Sequence, residues 1–401
     1  MFLDVTLRRN RPLIEAAVTL HQQGLIPPNT YLVDLDAVAE NTSMIAAEAV
    51  RLGVCLYYMT KQLNRNPVVA EVVERNGIPR AVAVDPQEAW SLHSAGRSVG
   101  HIGHLVQLPR LAVPRLLEVA PDLVTVFSTE NARLLSEAAR RKGRQQRVLL
   151  RVVGPEDVFF PGQVGGIALS ELGEALRAMK TMEGIDVAGF TSFPCIVYDA
   201  AERRAATTPN LETLRLAAEQ LRRTSGAEPV VNAPSMTSTT TLATLASLGV
   251  NCGEPGHALT GTTPLHAAGN QPERPALVYV SEVSHLAGGR AYTFGGGFYS
   301  RCRVQSAFVG RDEASTLRQR VDAEPLPSEH IDYYGTLVPE PGQRVRPGDT
   351  AVYAFRAQMF TSRAYLGLVR GSASGRPSLV ALYDSANRPV GEEDVWWRAR
   401  S

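Results

Sequence analysis

Val54-Cys55-Leu56-Tyr57-Tyr58-Met59-Thr60-Lys61 opens the part of the chain that decides its fold: an apolar, aromatic run too short for a helix, followed at once by a lysine. Such runs read as buried strands when turn residues bound them, and Gly53 stands directly before this one. Seven more strand-like runs follow, at 80–84, 99–107, 122–127, 147–153, 185–193, 229–232 and 249–253. Helical patterns alternate with them, as at 129–142 and 210–223. Asp85-Pro86-Gln87-Glu88 has the form of a capping box with Pro in the first turn, and Gly96 marks the end of that helix. Eight alternating βα units predict a (β/α)8 TIM-type barrel rather than an open doubly wound sheet. Lys61 then falls at the C-terminal end of the first barrel strand, where such barrels carry their chemistry.

Working outward, Tyr31-Leu32-Val33-Asp34-Leu35-Asp36 is a ninth strand-like run, preceded by a short amphipathic helix ending at Gly24. Beyond Pro264 the texture changes to β-rich alternation with turn signals at Gly295-Gly296-Gly297, Pro341-Gly342 and Pro347-Gly348, which predicts an all-β domain. The expected division is 1–36 for the N-terminal helix and strand, 37–265 for the barrel and 266–401 for the C-terminal all-β domain.

The 401 residues are 44% hydrophobic and 20% charged, which suits a large globular core. Lys+Arg 41 against Asp+Glu 40 leaves a formal charge of +1, so no overall field favours nucleic acid or an anionic membrane. The basic run 140–147 reads as a solvated helix end. No stretch approaches the roughly 20 apolar residues of a membrane span, and the N-terminus has no apolar segment after its basic residues. Cys55, Cys195, Cys252 and Cys302 are far apart in sequence and lack metal-ligand spacing, so no metal is expected and reduced thiols in the cytoplasm are.

Lys61, Lys142 and Lys180 are the only lysines, and the latter two fall in helical, solvated contexts. A partly buried amine at a barrel mouth can form a Schiff base, although a strand-end lysine also snorkels to solvent. Asn232-Ala233-Pro234-Ser235-Met236-Thr237-Ser238 runs from a strand into a Thr-rich helix. It suits a phosphate cradle, or equally a helix N-cap. Gly253-Glu254-Pro255-Gly256-His257 ends the eighth strand; Gly256 allows close backbone approach to a phosphate and Glu254 would lie beside whatever is held there. His101 and His104, three apart on the third predicted strand, should face opposite ways, so that one reaches the interior. Cys195 reads as a buried structural thiol or a reactive one.

These segments, with Met59-Thr60-Lys61-Gln62, Gly100-His101-Ile102-Gly103-His104, Thr191-Ser192-Phe193-Pro194-Cys195 and Phe294-Gly295-Gly296-Gly297-Phe298-Tyr299, resemble the alanine-racemase-like, fold-type III pyridoxal-phosphate enzymes, most closely their YhfX-type branch. The resemblance covers essentially the whole chain. It implies pyridoxal 5'-phosphate on Lys61, phosphate binding by Ser235, Met236, Thr237, Gly256 and His257, and a first strand that leaves the barrel for the β-domain. It also implies a small amino-acid substrate and a head-to-tail homodimer. Alanine racemases have an Arg where this chain has Glu254; the match here is to the Glu-Pro-Gly of basic-amino-acid decarboxylases, whose carboxylate keeps the pyridine nitrogen protonated and strengthens the electron sink. Arg65 stands where the racemases have a phosphate-contacting Tyr and could bind phosphate or a substrate carboxylate. His104 is expected beside the cofactor.

The leading expectation is a racemase or epimerase in which Lys61 takes the α-proton on one face and a second acid returns it on the other. Tyr333 and Tyr334 of Ile331-Asp332-Tyr333-Tyr334-Gly335 are the candidates for that acid. The alternatives are a decarboxylase or aldolase-type lyase, favoured by Glu254, and a non-catalytic carrier of the cofactor, against which the large β-domain argues.

Overall fold

The computed structural model describes residues 2–299 and 302–398. The chain divides into two compact units, one of Thr42–Lys61 with Pro67–Ala258, the other of Met1–Asn41, Gln62–Asn66 and Leu259–Ser401.

In the first unit eight parallel strands, Cys55–Leu56, Ala81–Ala83, Val99–Ile102, Leu123–Val126, Gln146–Val153, Ile185–Thr191, Val230–Asn232 and Cys252–Gly253, pair each with the next. The eighth pairs back with the first, Cys252 opposite Cys55 and Gly253 opposite Leu56. A bridge from Tyr58 to Ala81 joins the first to the second, through Tyr58 N–H to the Arg80 carbonyl (3.0 Å) and Val82 N–H to the Tyr58 carbonyl (2.8 Å). The sheet is therefore a closed barrel. Its interior is filled by side chains, with Tyr57, Val82, Leu123, Leu149, Ala188 and Cys252 forming one apolar cluster.

The second unit contains a closed antiparallel barrel of six strands, in order Arg290–Phe294, Tyr334–Val338, Arg320–Ala323, Ser306–Gly310, Thr350–Tyr353 and Leu277–Ala287, the last pairing again with the first. Thr30–Asp34 extends this sheet, antiparallel to Leu277–Ala287 and parallel to Tyr365–Arg370. The ninth run therefore belongs to the β-rich unit, as the family resemblance implies. Leu13, Ile14 and Val18 pack against Val278, Val280 and Val352 of the sheet. Among the described residues no helix is long and apolar enough to cross a membrane.

Four local readings change. The N-terminal helix is two helices, Phe2–Arg9 and Arg11–Gln22, because Pro12 lacks an N–H to continue the first. Asp85 does cap the helix Pro86–Ser94 by accepting from Glu88 N–H, but the buried Glu88 carboxylate accepts from Val84 N–H (2.7 Å), so the expected capping box is only half formed. The strand expected at 99–107 ends at Ile102, since Gly103 turns the chain at φ 84°. A Cβ at Gly103 would lie 2.7 Å from the Thr125 carbonyl oxygen, so the neighbouring strand excludes a larger residue. The hairpin Ile196–Asp199 with Arg204–Thr207 and the helix Glu313–Arg318 had no clear periodic signal.

Candidate active site

Lys61 begins a single helical turn, Lys61–Leu63, immediately after the first barrel strand and its Tyr58 bridge, and is half-buried between buried Thr60 and Gln62. Glu254 follows the eighth strand, and its side chain is fully enclosed. One of its oxygens, Oε1, accepts from His101 Nδ1–H (2.7 Å) and from Asn232 Nδ2 (2.9 Å). Thr125 Oγ1 holds the other His101 nitrogen at 2.7 Å. The imidazoles of His104 and His101 and the Asn232 amide outweigh the effect of burial, so the Glu254 carboxyl is held well below the ordinary carboxylate range, at about 2.

Glu254 Oε2 and both ring nitrogens of His104 are buried without hydrogen-bond partners. His104 Nε2 lies 3.8 Å from that oxygen, outside hydrogen-bonding distance. Burial lowers the His104 imidazole to about 4 despite the nearby carboxylate, and the positive charges of Arg151 and Lys61 act in the same direction. Lys61, His101, Arg151 and Glu254 thus all act electrostatically on His104.

The expectation that only one histidine faces inward is thus corrected. Strand alternation ends at Gly103, and both imidazoles turn toward Glu254, with ring centroids 6.0 Å apart. Phe193 meets His104 edge-on at 5.5 Å, and Phe160 continues this aromatic wall.

Arg151 went unremarked in the sequence, although a charged residue within Val148-Leu149-Leu150-Arg151-Val152-Val153 was a usable signal. It is buried in the fifth strand, lies over the Phe127 ring at 4.8 Å and donates through Nη2 to the Gln163 carbonyl (2.7 Å). Its Nε and Nη1 have no partner, and burial lowers the group to about 10. Asn232, the last residue of the seventh strand, was read only as part of the phosphate turn, yet it holds Glu254.

In that turn Ser235 Oγ accepts from Cys195 N–H (2.9 Å) and donates to the Pro234 carbonyl. Met236 adopts φ 45°, and the Thr237 hydroxyl accepts from Glu254 N–H (3.2 Å), tying the turn to the eighth strand. The N-cap of the helix Thr239–Ser247 is Ser238, in a reciprocal box with Thr241. Gly256 and His257 are half-buried where the chain leaves Glu254 and enters the turn His257–Thr260. The Cys195 thiol is buried, donates to the Ser192 carbonyl (3.3 Å) and is pushed up by burial, as suits a structural residue.

Three expected site residues belong to the other unit. Arg65 has φ 58° in the short segment 62–66, whose Asn64 donates to the Ser385 carbonyl (3.0 Å). Tyr333 is exposed under the Arg363 guanidinium at 5.6 Å, and Tyr334 starts a strand amid His285, Tyr292 and Phe294.

Residues 33–264 match the family model "Alanine racemase, N-terminal domain", and residues 278–379 match "YhfX-like, C-terminal domain". The chain is 40% identical to "Uncharacterized protein YhfX" of Escherichia coli (strain K12) over 391 residues, 98% of this chain and 100% of that protein. Among solved structures, D-threonine aldolase from Filomicrobium marinum is similar over 91% of this chain and 96% of its own (TM-score 0.67, 19% identity). Alanine racemase from Corynebacterium glutamicum is similar over 82% and 90% (TM-score 0.59, 18% identity). The chain belongs to the alanine-racemase-like family, whose cofactor is pyridoxal phosphate, in its YhfX-type branch.

Proposed function

We propose that the protein is a pyridoxal-phosphate-dependent racemase or epimerase acting at the α-carbon of a small amino acid. The observation that carries this reading is the buried Glu254 anion, fixed through one oxygen by His101 and Asn232 and unpartnered at the other, beside a His104 whose imidazole feels the Lys61 charge. An unsatisfied buried carboxylate oxygen is unfavourable unless a cationic donor meets it, and a protonated pyridine nitrogen is such a donor. When bound, the cofactor supplies an electron sink conjugated to the α-carbon.

The chain's own residues then divide the work. Lys61 would hold the cofactor, and its Nζ would accept the α-proton of a bound substrate. Glu254 would keep the cofactor's ring nitrogen protonated, and His101, steadied by Thr125, keeps the carboxylate from rotating. Arg151 offers Nε–H and Nη1–H to an anionic oxygen. His104 stays neutral, so it does not compete as a cation for Glu254, and Phe193 with Phe160 limits water access. The turns at Ser235, Met236 and Thr237 and at Gly256 and His257 would take the phosphate. Tyr333 or Tyr334 of a second copy returns the proton in a head-to-tail homodimer, which four free thiols suit to the cytoplasm.

Glu254 supports a second reading, decarboxylation or aldol-type cleavage, because a fully protonated ring favours any loss of an electrophile from the α-carbon. The experiment that separates these incubates the holoenzyme with L- and D-amino acids in heavy water and follows α-deuteration, chirality, carbon dioxide and aldehyde together. Deuteration with inversion is expected; gas or aldehyde without inversion moves the assignment to a lyase, and no turnover at all leaves the carrier. Borohydride should fix the cofactor on Lys61, and labelling at Lys142 or Lys180 would overturn the site.

A further inference from the structure

We propose that Cys55 and Cys252 form a peroxide-reactive dithiol at the barrel seam, in which Cys55 is oxidised and Cys252 closes an intramolecular disulfide between the first and eighth strands. The two cysteines are distant in sequence but directly paired in the parallel register of these strands. Neighbouring strands lie about 4.8 Å apart, inside the roughly 4.4–6.8 Å between Cα atoms that a disulfide accepts. Register-paired residues of adjacent strands project to the same face, and each thiol alters the titration of the other.

Their environments differ in the way such a pair requires. Cys55 is exposed, at a cleft of about 160 Å³ lined by Val54, Cys55, Leu56, Tyr57, Arg80 and Asp122 among others. Cys252 is 1% exposed and packed in the interior cluster with Tyr57, Leu123 and Leu149. The adjacent Cys252 thiol lowers the Cys55 pKa; burial and Asp122 oppose this, while Tyr57 and Arg147 assist. Arg80 pairs with Asp122 and tempers its charge. Cys252 is pushed up, so it remains the proton donor. Burial also raises Cys195 and Cys302, which makes them poor competitors.

In the first step the Cys55 thiolate attacks a hydroperoxide, its sulfur taking the terminal oxygen to become sulfenic acid while the O–O bond breaks and alkoxide or hydroxide leaves. In the second the Cys252 sulfur attacks that sulfenic sulfur, the S–O bond breaks, and the Cys252 proton departs with the oxygen as water. The two thiols lose two electrons, which the peroxide gains. The product joins the strand that leads toward Lys61 to the strand that leads into Glu254.

The test treats reduced holoenzyme with hydrogen peroxide and follows thiol titration and peptide mass mapping. Two of the four thiols should be lost, with the Cys55 and Cys252 peptides linked within one chain, and the rate should rise between pH 6 and 8. In Cys252→Ser the reaction should stop at a Cys55 sulfenic acid that dimedone traps. The proposal is overturned if the parent accumulates Cys55 sulfinate without a link, if the link joins two chains, or if Cys195 or Cys302 reacts first. It is equally overturned if all four thiols survive peroxide that consumes a thiol peptide in the same solution. Mapping of the parent decides the matter even if the variant does not fold.

Discussion

His104 is kept neutral by burial, and this makes the stability of the cofactor-stripped protein depend on pH in a calculable way. Its imidazole is lowered from 6.5 to about 4, worth about 3 kcal/mol at roughly 1.36 kcal/mol per unit. Between those values the unfolded ring binds a proton and the folded ring does not. The contribution is therefore fully present above pH 6.5 and lost as the pH falls toward 4. Linkage puts the loss at about 2 kcal/mol between pH 7.5 and pH 5. His21, in the other unit, is lowered to about 4 by burial alone and adds a similar loss. Glu254, lowered from 4.5 to about 2, acts in the opposite member of the acid range, its contribution present above 4.5 and lost below it. Urea unfolding at pH 7.5, 6 and 5 of the parent, His104→Asn and His21→Asn should show each variant losing about half the pH-dependent decrement. If the units melt separately, the His104 slope belongs to the step that unfolds the barrel. Parallel profiles for parent and His104→Asn would refute the argument, because the ring would then titrate as it does in water.

Three further outcomes follow from the site. Glu254→Gln keeps an oxygen for His101 and Asn232 but loses the anion, so cofactor should remain bound while α-proton exchange falls by roughly 10²-fold or more; unchanged exchange by deuterium incorporation would remove the ring-nitrogen assignment. Arg151→Met should leave thermal stability within about 1 kcal/mol, since a buried charge is replaced by an apolar chain, yet weaken cofactor or substrate binding about 10- to 100-fold, the value of a charged hydrogen bond. Equal Kd and KM in both proteins would refute that role. Mixing Lys61→Ala with Tyr333→Phe/Tyr334→Phe under subunit exchange should restore part of the activity; a fully active tyrosine double variant, or a dead mixture with exchange demonstrated, would exclude these hydroxyls as the cross-subunit acid.

The barrel was legible because its strands are buried on both sides and therefore read as continuous apolar runs at regular spacing. Lys61 and Glu254 could be picked out because each directly follows such a run. What escaped was set by tertiary geometry. The inward turn of His104 depends on a left-handed Gly103 beside the Thr125 carbonyl, which no periodicity encodes. The half-formed capping box reflects a buried Glu88 that found Val84 N–H instead of Asp85 N–H. The pairing of Cys55 with Cys252 requires barrel closure, which brings the first and last strands together however far apart they lie in sequence. Arg151 was visible all along as a charge in an apolar strand, and was passed over because its surroundings read so clearly as core.

The strand Thr30–Asp34 has a consequence for biosynthesis. Its partners are Leu277–Ala287 on one side and Tyr365–Arg370 on the other. During translation at roughly 5–20 residues per second, the central position of that sheet must wait on the order of tens of seconds for its second neighbour to emerge. Throughout that interval Tyr31, Leu32 and Val33, all at 0% exposure in the finished fold, lack the strands that cover them. The nascent protein thus carries an unpaired apolar β-segment, of the kind that invites pairing with other chains. The helix Arg11–Gln22 is made before either strand, and its Leu13, Ile14 and Val18, which share a core cluster with Leu32, can cover one face of the segment in the meantime.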